Sequence, residues 1–469
     1  LCPNGPAPTP FEQGYQWFSD NGWTFRDRPG IRAAKEALTK LRGRLESDGA
    51  QLGAAVVDLE TGAMVASSGE GTALNPASNA KIATAVTALE LLGAEHRFVS
   101  GLYGDVEGRR VSRLVLRSAG DPGLEMAHLG ALVGQLKDAG VTEVGAVLVD
   151  QSYFDERYVP PAFEQQPDEW AAFRAPVAAV SIERNTVTFT VRPGAKAGEP
   201  ATVTTRPAGF VSIAGEVKTG KPDAAERVGL SLAAKGDRLE ARLSGTIPEG
   251  SRSAVYTRRV DDPRKLAGYA LLEVLRQQGI AAPAEVALGG ADEKRALALH
   301  RSAPVGELVH LLGKDSDNFT AEMLFRAAGA AAASDPTPEA AVKAVEGVLR
   351  ARSAFGSGEK VVNGSGLFDA NRASARSVAT LLASANGDPR LGPELLASLA
   401  IGGVDGTLRS RLRPLRDQRS VRAKTGTLAK SVALSGYILD GKGKPRVAFS
   451  FLVQTTPGKT TPARDAIDE

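Results

Sequence analysis

The chain has 469 residues, 42 % of them hydrophobic, and a formal net charge of +3 at pH 7, with acidic and basic residues mixed along its length. That length exceeds what one hydrophobic core usually organises, so two or three domains are expected. No long basic run points to a nucleic-acid partner, and no apolar stretch is long enough to form a transmembrane segment. Cys2 is the only cysteine, and the four histidines (His96, His128, His300 and His310) form no HExxH pair. A disulfide framework, a thiolate zinc cage and a cysteine nucleophile are therefore excluded, and neither a metal nor a cofactor is expected. No serine lies in a GxSxG elbow, so a nucleophilic serine would need a base other than a triad histidine.

The chain begins at Leu1 without a methionine and runs into Pro-rich sequence, PNGPAPTP over residues 3–10. This predicts a signal peptide removed upstream and a periplasmic or otherwise extracytoplasmic location. A lipid on Cys2 is disfavoured by the bulky Leu1 before it. Residues 1–30 are read as a linker and an aromatic-rich prefix (Phe11, Tyr15, Trp17, Phe18, Trp23, Phe25), expected to pack against the body.

From Ile31 the pattern is helical, with Ala34, Ala37, Leu38, Leu41 and Leu45 assigned to one face. GAAVVDL and AMVASS, joined through Glu60-Thr61-Gly62, predict a strand hairpin, and VALSGYIL with RVAFSFLV predicts a second one near the C-terminus. Residues 31–96 and 301–469 are thus expected to form one α+β domain, with helices on an antiparallel sheet assembled from both ends of the chain. Between 97 and 300, short alternating runs such as TVTFTV, broken by Gly and Pro, predict one or more inserted β-rich domains, with a subdomain at 186–256. Helical patterns return after Leu308.

Three motifs carry the chemistry: Ser78-Asn79-Ala80-Lys81, Ser316-Asp317-Asn318 and Lys424-Thr425-Gly426. The combination SxxK, SxN and KTG marks the penicillin-binding and β-lactamase group of active-site serine enzymes. Each motif also occurs elsewhere in the chain, at Ser357-Gly358-Glu359-Lys360, at Ser19-Asp20-Asn21 and Ser384-Ala385-Asn386, and at Lys218-Thr219-Gly220. Context chooses among them. Ser78 precedes Ile82, Ala85, Val86, Leu89 and Leu92 at helical spacing, so Lys81 falls one turn along on the same face, where it can serve as base. Ser357 is ringed by glycines with no apolar helix after it, Ser384 lies at a helix end, and Lys218-Thr219-Gly220 reads as a solvated turn. Ser316-Asp317-Asn318 precedes a helical run, AEMLFRAA, where a hydroxyl can relay a proton and Asn318 can donate to a substrate carbonyl. Lys424 with Thr425 and Thr427 suits a carboxylate, and Gly426 permits close approach of a substrate backbone.

With these residues the chain resembles the D-alanyl-D-alanine carboxypeptidases of the class C low-molecular-mass penicillin-binding proteins, peptidase family S13, from about residue 31 to the C-terminus. Further shared segments are NPASNAK (75–81), AGDPGL (119–124), VLVDQSYF (147–154), SDNFTAEML (316–324), GSGL (364–367), GGVDGTLRSRL (402–412) and AKTGTL (423–428). Ser316 follows Ser78 by 238 residues, a separation far longer than in β-lactamases. The resemblance implies a serine β-lactamase/transpeptidase-like domain carrying inserted domains, and Ser78 as acyl-enzyme nucleophile. It implies proton handling by Lys81, Ser316 and Lys424, and an oxyanion hole at the backbone N–H groups of Ser78 and Thr427. It implies peptidoglycan stem peptides as substrate, with carboxypeptidase and endopeptidase action, and covalent acylation by β-lactams. Asp150 matches an aspartate expected to meet the stem peptide's diamino acid. Two other functions compete: a non-catalytic wall-binding or β-lactam-sensing module, whose mark would be a broken trio, and a β-lactamase. The chain departs from the family at Gly313-Lys314-Asp315, where an asparagine usually stands beside the lysine, and in its aromatic prefix. It also ends at RDAIDE, where the family continues a C-terminal helix over the sheet.

Overall fold

A computed structural model describes residues 29–333 and 336–469; the aromatic prefix, Cys2 and the Ser19-Asp20-Asn21 motif lie outside the described residues. The described residues divide into two compact units, one of residues 29–83 with 349–360 and 369–469, the other of residues 84–348 and 361–368.

The first unit is built on a sheet drawn from both ends of the sequence. Its strands are β1 (Gln51–Asp58), β2 (Met64–Ser68), β3 (Ala400–Ile401), β4 (Val421–Leu428), β5 (Ser431–Leu439) and β6 (Pro445–Gln454), in the order β3-β4-β5-β6-β1-β2. Every pair is antiparallel, and β1 joins the two ends by pairing Gln51 with Gln454 through Asp58 with Val447. Both expected hairpins are present. Side chains alternate across a strand, so each face of the sheet has its own cover. Leu52 and Ala54 of β1, Val432 of β5 and Val453 of β6 join a core with Leu38 and Leu45 of helix α1 (Pro29–Ser47). Ala463 and Ala466 of the C-terminal helix (Thr460–Asp468) complete it, so a helix does cover the sheet at RDAIDE. Ala34, Leu38, Leu41 and Leu45 are the inward stripe of α1, whereas Ala37 is exposed, one position off that line. The opposite face of β1, at Gly53, looks onto Leu74 and Ala375, the first residue of the helix Ala375–Gly387. Tyr437 of β5 donates to the carbonyl of Leu382 in that helix at 2.7 Å.

The second unit contains all of residues 97–300. A five-stranded mixed sheet runs in the order Val286–Leu288, Val147–Asp150, Leu114–Ser118, Val99–Tyr103, Ala296–Arg301. Two helices, Met126–Asp138 and Leu266–Gln277, pack on one another and on this sheet. Within 186–259 lie a three-stranded and a four-stranded sheet, and Phe189, Phe210 and Leu243 tie them into the same hydrophobic core. Lys218-Thr219-Gly220 is a short strand pairing in parallel with Thr246–Pro248, not the solvated turn its composition predicts. Lys218 is exposed, and Thr219 is buried with its hydroxyl accepting from the N–H of Gly194 at 2.8 Å. The helices Val305–Gly313, Asn318–Ala332 and Pro338–Ala351 follow, and buried Glu322 of the second accepts from the N–H groups of Gly364 and Ser365 in the GSGL segment. Among the described residues no helix is long and apolar enough to cross a membrane.

The AGDPGL segment places an acid in this core. Asp121 is fully buried; its Oδ1 accepts from the N–H of Gly123 at 2.8 Å, while Oδ2 has no hydrogen-bond partner and lies 3.7 Å from Nε2 of His300. His300 stacks on His128 with ring centroids 4.2 Å apart. Burial raises the carboxyl to about 6, against the opposing effects of the Gly123 N–H, His128 and Ser100. An acid whose folded pKa is raised stabilises the fold below its unfolded pKa and loses that contribution as pH rises through the folded value. The shift of about two units corresponds to at most about 3 kcal/mol, lost between roughly pH 4 and pH 6. Asp121→Asn should therefore raise the urea midpoint of this unit at pH 7.5 and change it little at pH 4. An equal effect at both pH values would refute the charge-burial account.

Candidate active site

Ser78 lies in a 3-10 turn, Ala77–Asn79, that runs directly into helix α2 (Ala80–Leu91). The turn is held by its neighbours. Ala77 has a positive φ of 47°, a sparsely populated conformation for a residue with a Cβ, and its N–H donates to Asn75 Oδ1 at 2.9 Å. Asn79 donates to Ser435 Oγ at 2.6 Å, and Ser435 donates to Ser450 Oγ at 2.9 Å. These two serines lie directly opposite one another on β5 and β6. Serines at buried positions of otherwise apolar strands were the legible signal for this polar row, and reading the sequence for motifs alone misses it.

Lys81 lies one helical turn past Ser78, with Nζ 3.0 Å from Ser78 Oγ, and is only 1 % exposed. Lys424 of β4 is equally buried and stands opposite Ser435 in the sheet register, so its side chain leaves the sheet on the face that carries the Ser78 turn. Its Nζ donates to the carbonyl of Thr425 at 2.6 Å. Burial, reinforced by repulsion from Lys81, pushes the Lys424 ammonium well below the ordinary lysine range. Repulsion between the two buried ammonium groups disfavours a second positive charge beside the first.

Gly426 brings β4 against the turn. A Cβ there would meet the Pro76 carbonyl and the Ala77 Cβ, each at 3.0 Å, so the close approach is to the chain's own backbone beneath Ser78. Thr425 points to the opposite face of β4 from Lys424 and donates to Thr407 Oγ1 at 2.8 Å; Thr427, on the same face as Thr425, is exposed. Strand β3 pairs only with Arg422 and Ala423. From Lys424 onward no further described strand pairs on that side of β4.

The remaining expected residues belong to the second unit. Ser316 has a positive φ of 58°, and Asp317 caps the helix Asn318–Ala332 by accepting from the N–H of Thr320 at 2.7 Å. Asn318 donates to the carbonyl of Phe173 at 3.0 Å. Asp150 stands at the end of the strand Val147–Asp150. It is 2 % exposed, and its carboxylate accepts from Arg117 at 2.7 Å, from the Ala291 N–H at 2.9 Å and from the Ser152 N–H at 3.0 Å. Burial alone would raise its pKa; the hydrogen bonds from Ser152, Ala291 and Arg117 outweigh that and lower it. The carboxylate thus forms an ion pair with Arg117 at a strand end. Ser357 lies in an exposed turn, and Ser384 sits in the last turn of its helix bonded to Arg352 at 3.1 Å, so neither resembles a nucleophile.

A serine within hydrogen-bond reach of a buried lysine one helical turn on, seated against an antiparallel sheet, is the arrangement of a serine peptidase of the penicillin-binding class. The profile of the D-Ala-D-Ala carboxypeptidase 3 (S13) family matches residues 35–469. A D-alanyl-D-alanine carboxypeptidase of Actinomadura sp. (strain R39) is 32 % identical over 94 % of this chain and 85 % of its own length. The crystal structure of penicillin binding protein 4 (dacB) from Haemophilus influenzae matches with a TM-score of 0.75 at 23 % identity, covering 91 % of this chain and 97 % of that one. The same protein complexed with a β-lactam matches with a TM-score of 0.70 at 22 % identity, covering 91 % and 96 %. The chain belongs to the D-Ala-D-Ala carboxypeptidase 3 (S13) family and is a serine-type carboxypeptidase. The expected α+β transpeptidase-like fold class is borne out.

Proposed function

We propose that Ser78 Oγ attacks the carbonyl carbon of the penultimate D-alanine of a peptidoglycan stem peptide. Lys81 accepts the hydroxyl proton as the carbon–oxygen bond forms, and the backbone N–H groups of Ser78 and Thr427 hold the oxyanion. Terminal D-alanine leaves as its nitrogen receives a proton through Ser316, and water then hydrolyses the ester. Thr425 and Thr427, together on one face of β4, receive the terminal carboxylate, and Asn318 donates to a substrate carbonyl. A crosslinked diamino acid keeps a carboxylate on its D-centre, so the same receptor serves endopeptidase cleavage. β-Lactams carry one in a comparable place and acylate Ser78. An enzyme with this substrate acts outside the cytoplasm. The observation that carries this reading is the 3.0 Å contact of Lys81 Nζ with Ser78 Oγ beside a second buried lysine.

The test is release of D-alanine from a short D-Ala-D-Ala peptide and from the same peptide amidated at its C-terminus. A hydrogen bond to a charged group contributes about 1.5–3 kcal/mol, so amidation should lower kcat/KM by at least about tenfold. Equal turnover of acid and amide would remove the carboxylate receptor, and no release from either would remove the activity.

A further inference from the structure

The loop from β3 to β4 carries five arginines between residues 409 and 419, and Arg422 follows at the start of β4, in a chain whose net charge is only +3. Leu408 is buried under this loop, and Leu412 and Leu415 pack against the same core. Each leucine is followed by an arginine, so Arg409, Arg413 and Arg416 recur one position behind the inward residues and are all exposed, as is Arg419. The loop is folded tightly. Gly403, with φ +70°, would place a Cβ 3.0 Å from Arg416 Cβ and 3.2 Å from Arg413 Cα, and Arg411 is spent on a bidentate pair with Asp468 at 2.6 and 2.9 Å. The four exposed arginines make no ion pair among the described residues, nor does Asp417, the one acid between them. Arg422, half-buried behind them, has an Nη1 with no hydrogen-bond partner, and burial together with Arg419 lowers its pKa. The loop is joined to the substrate strand by the Thr425–Thr407 hydrogen bond, and it packs on the face of β4 away from Ser78.

We propose that this arginine surface binds the anionic peptidoglycan polymer, through stem-peptide carboxylates other than the one being cleaved, and so recruits polymeric substrate to the β4 edge; this rests on the wall-peptidase reading above. Arginine forks pair bidentately with carboxylates, and four held on one rigid loop match a polymer with repeated carboxylates better than a single small anion. The surface therefore adds to polymer binding without entering the chemistry, and its contribution is screened by salt.

The experiment compares the parent with a variant carrying Arg409→Gln, Arg413→Gln, Arg416→Gln and Arg419→Gln, and with a second carrying lysine at the same four positions. Each is measured for co-sedimentation with insoluble peptidoglycan, for D-alanine release from that polymer and for release from a short peptide, at low and high salt. The expected result is a drop of about tenfold in polymer binding and turnover for the glutamine variant at low salt, the parent falling to the same level at high salt. Short-peptide turnover should stay within about twofold in every variant, with lysine partly restoring polymer binding. Unchanged polymer binding in the glutamine variant overturns the proposal. So does an equal loss on polymer and short peptide, which would make the loop a support for the site. Arginine-dependent binding of phosphatidylglycerol vesicles without binding of peptidoglycan would assign the surface to membranes instead. If the parent releases no D-alanine from the short peptide, the proposed activity fails, while the co-sedimentation arm still decides the arginine surface alone.

Discussion

Ser78→Ala is expected to abolish covalent labelling by a fluorescent penicillin and to lower D-alanine release by a factor on the order of 10⁶, the scale lost when a serine enzyme is stripped of its nucleophile. The effect follows from geometry. Ser78 Oγ is the hydroxyl within hydrogen-bond reach of Lys81 in this turn, and the other SxxK serine, Ser357, lies in an exposed turn without a helix behind it. The fold should be retained, because the turn is fastened by Asn75 to the N–H of Ala77 and by Asn79 to Ser435, none of which passes through the Ser78 side chain. The measurement is fluorescent labelling of parent and variant, with the labelled peptide of the parent mapped by mass spectrometry. Label persisting on the variant would take the nucleophile away from Ser78.

Lys81→Ala should lower the rate of penicillin acylation by about 10² to 10⁴, the range for a positioned acid–base group. Deleting a buried side chain usually destabilises, but here it also removes one of two buried lysines that repel each other, so the fold should survive while the chemistry does not. The pH profile separates a base from a packing residue. In the parent, activity should fall with decreasing pH as the lysine pair takes up its second proton; in the variant that acid limb should shift or vanish, because Lys424 then titrates without its neighbour. Lys81→Arg should not restore the rate, since a guanidinium remains protonated and cannot accept the Ser78 proton. Near-normal acylation by Lys81→Ala would assign the base elsewhere.

Much of the candidate site was legible because it is local. Ser78 and Lys81 are three residues apart at the start of an apolar helical run, and helical geometry alone puts them on one face. Alternation of apolar residues at the two ends of the chain was enough to predict two hairpins and one shared sheet. Exposure and non-local partners were not legible. The sequence shows no partner for Asp150, and the fold brings Arg117 and the Ala291 N–H to its carboxylate. Composition makes Lys218-Thr219-Gly220 a solvated turn, yet pairing with Thr246–Pro248 makes it a strand. Gly426 reads as room for a ligand, and the tertiary structure fills that room with Pro76 and Ala77. Lys424, Thr425 and Thr427 read as one edge, and strand pleating sends Lys424 to the face opposite the threonines. The arginines at 409–422 read as scattered charges until Leu408, Leu412 and Leu415 are buried, which turns the intervening side chains outward together. Sequence by itself determined which groups could do chemistry and which local elements carry them, since both depend on neighbours within a turn or a strand. Only the tertiary structure decided which of those groups are desolvated, paired or left facing water, because burial and long-range pairing belong to the packed chain.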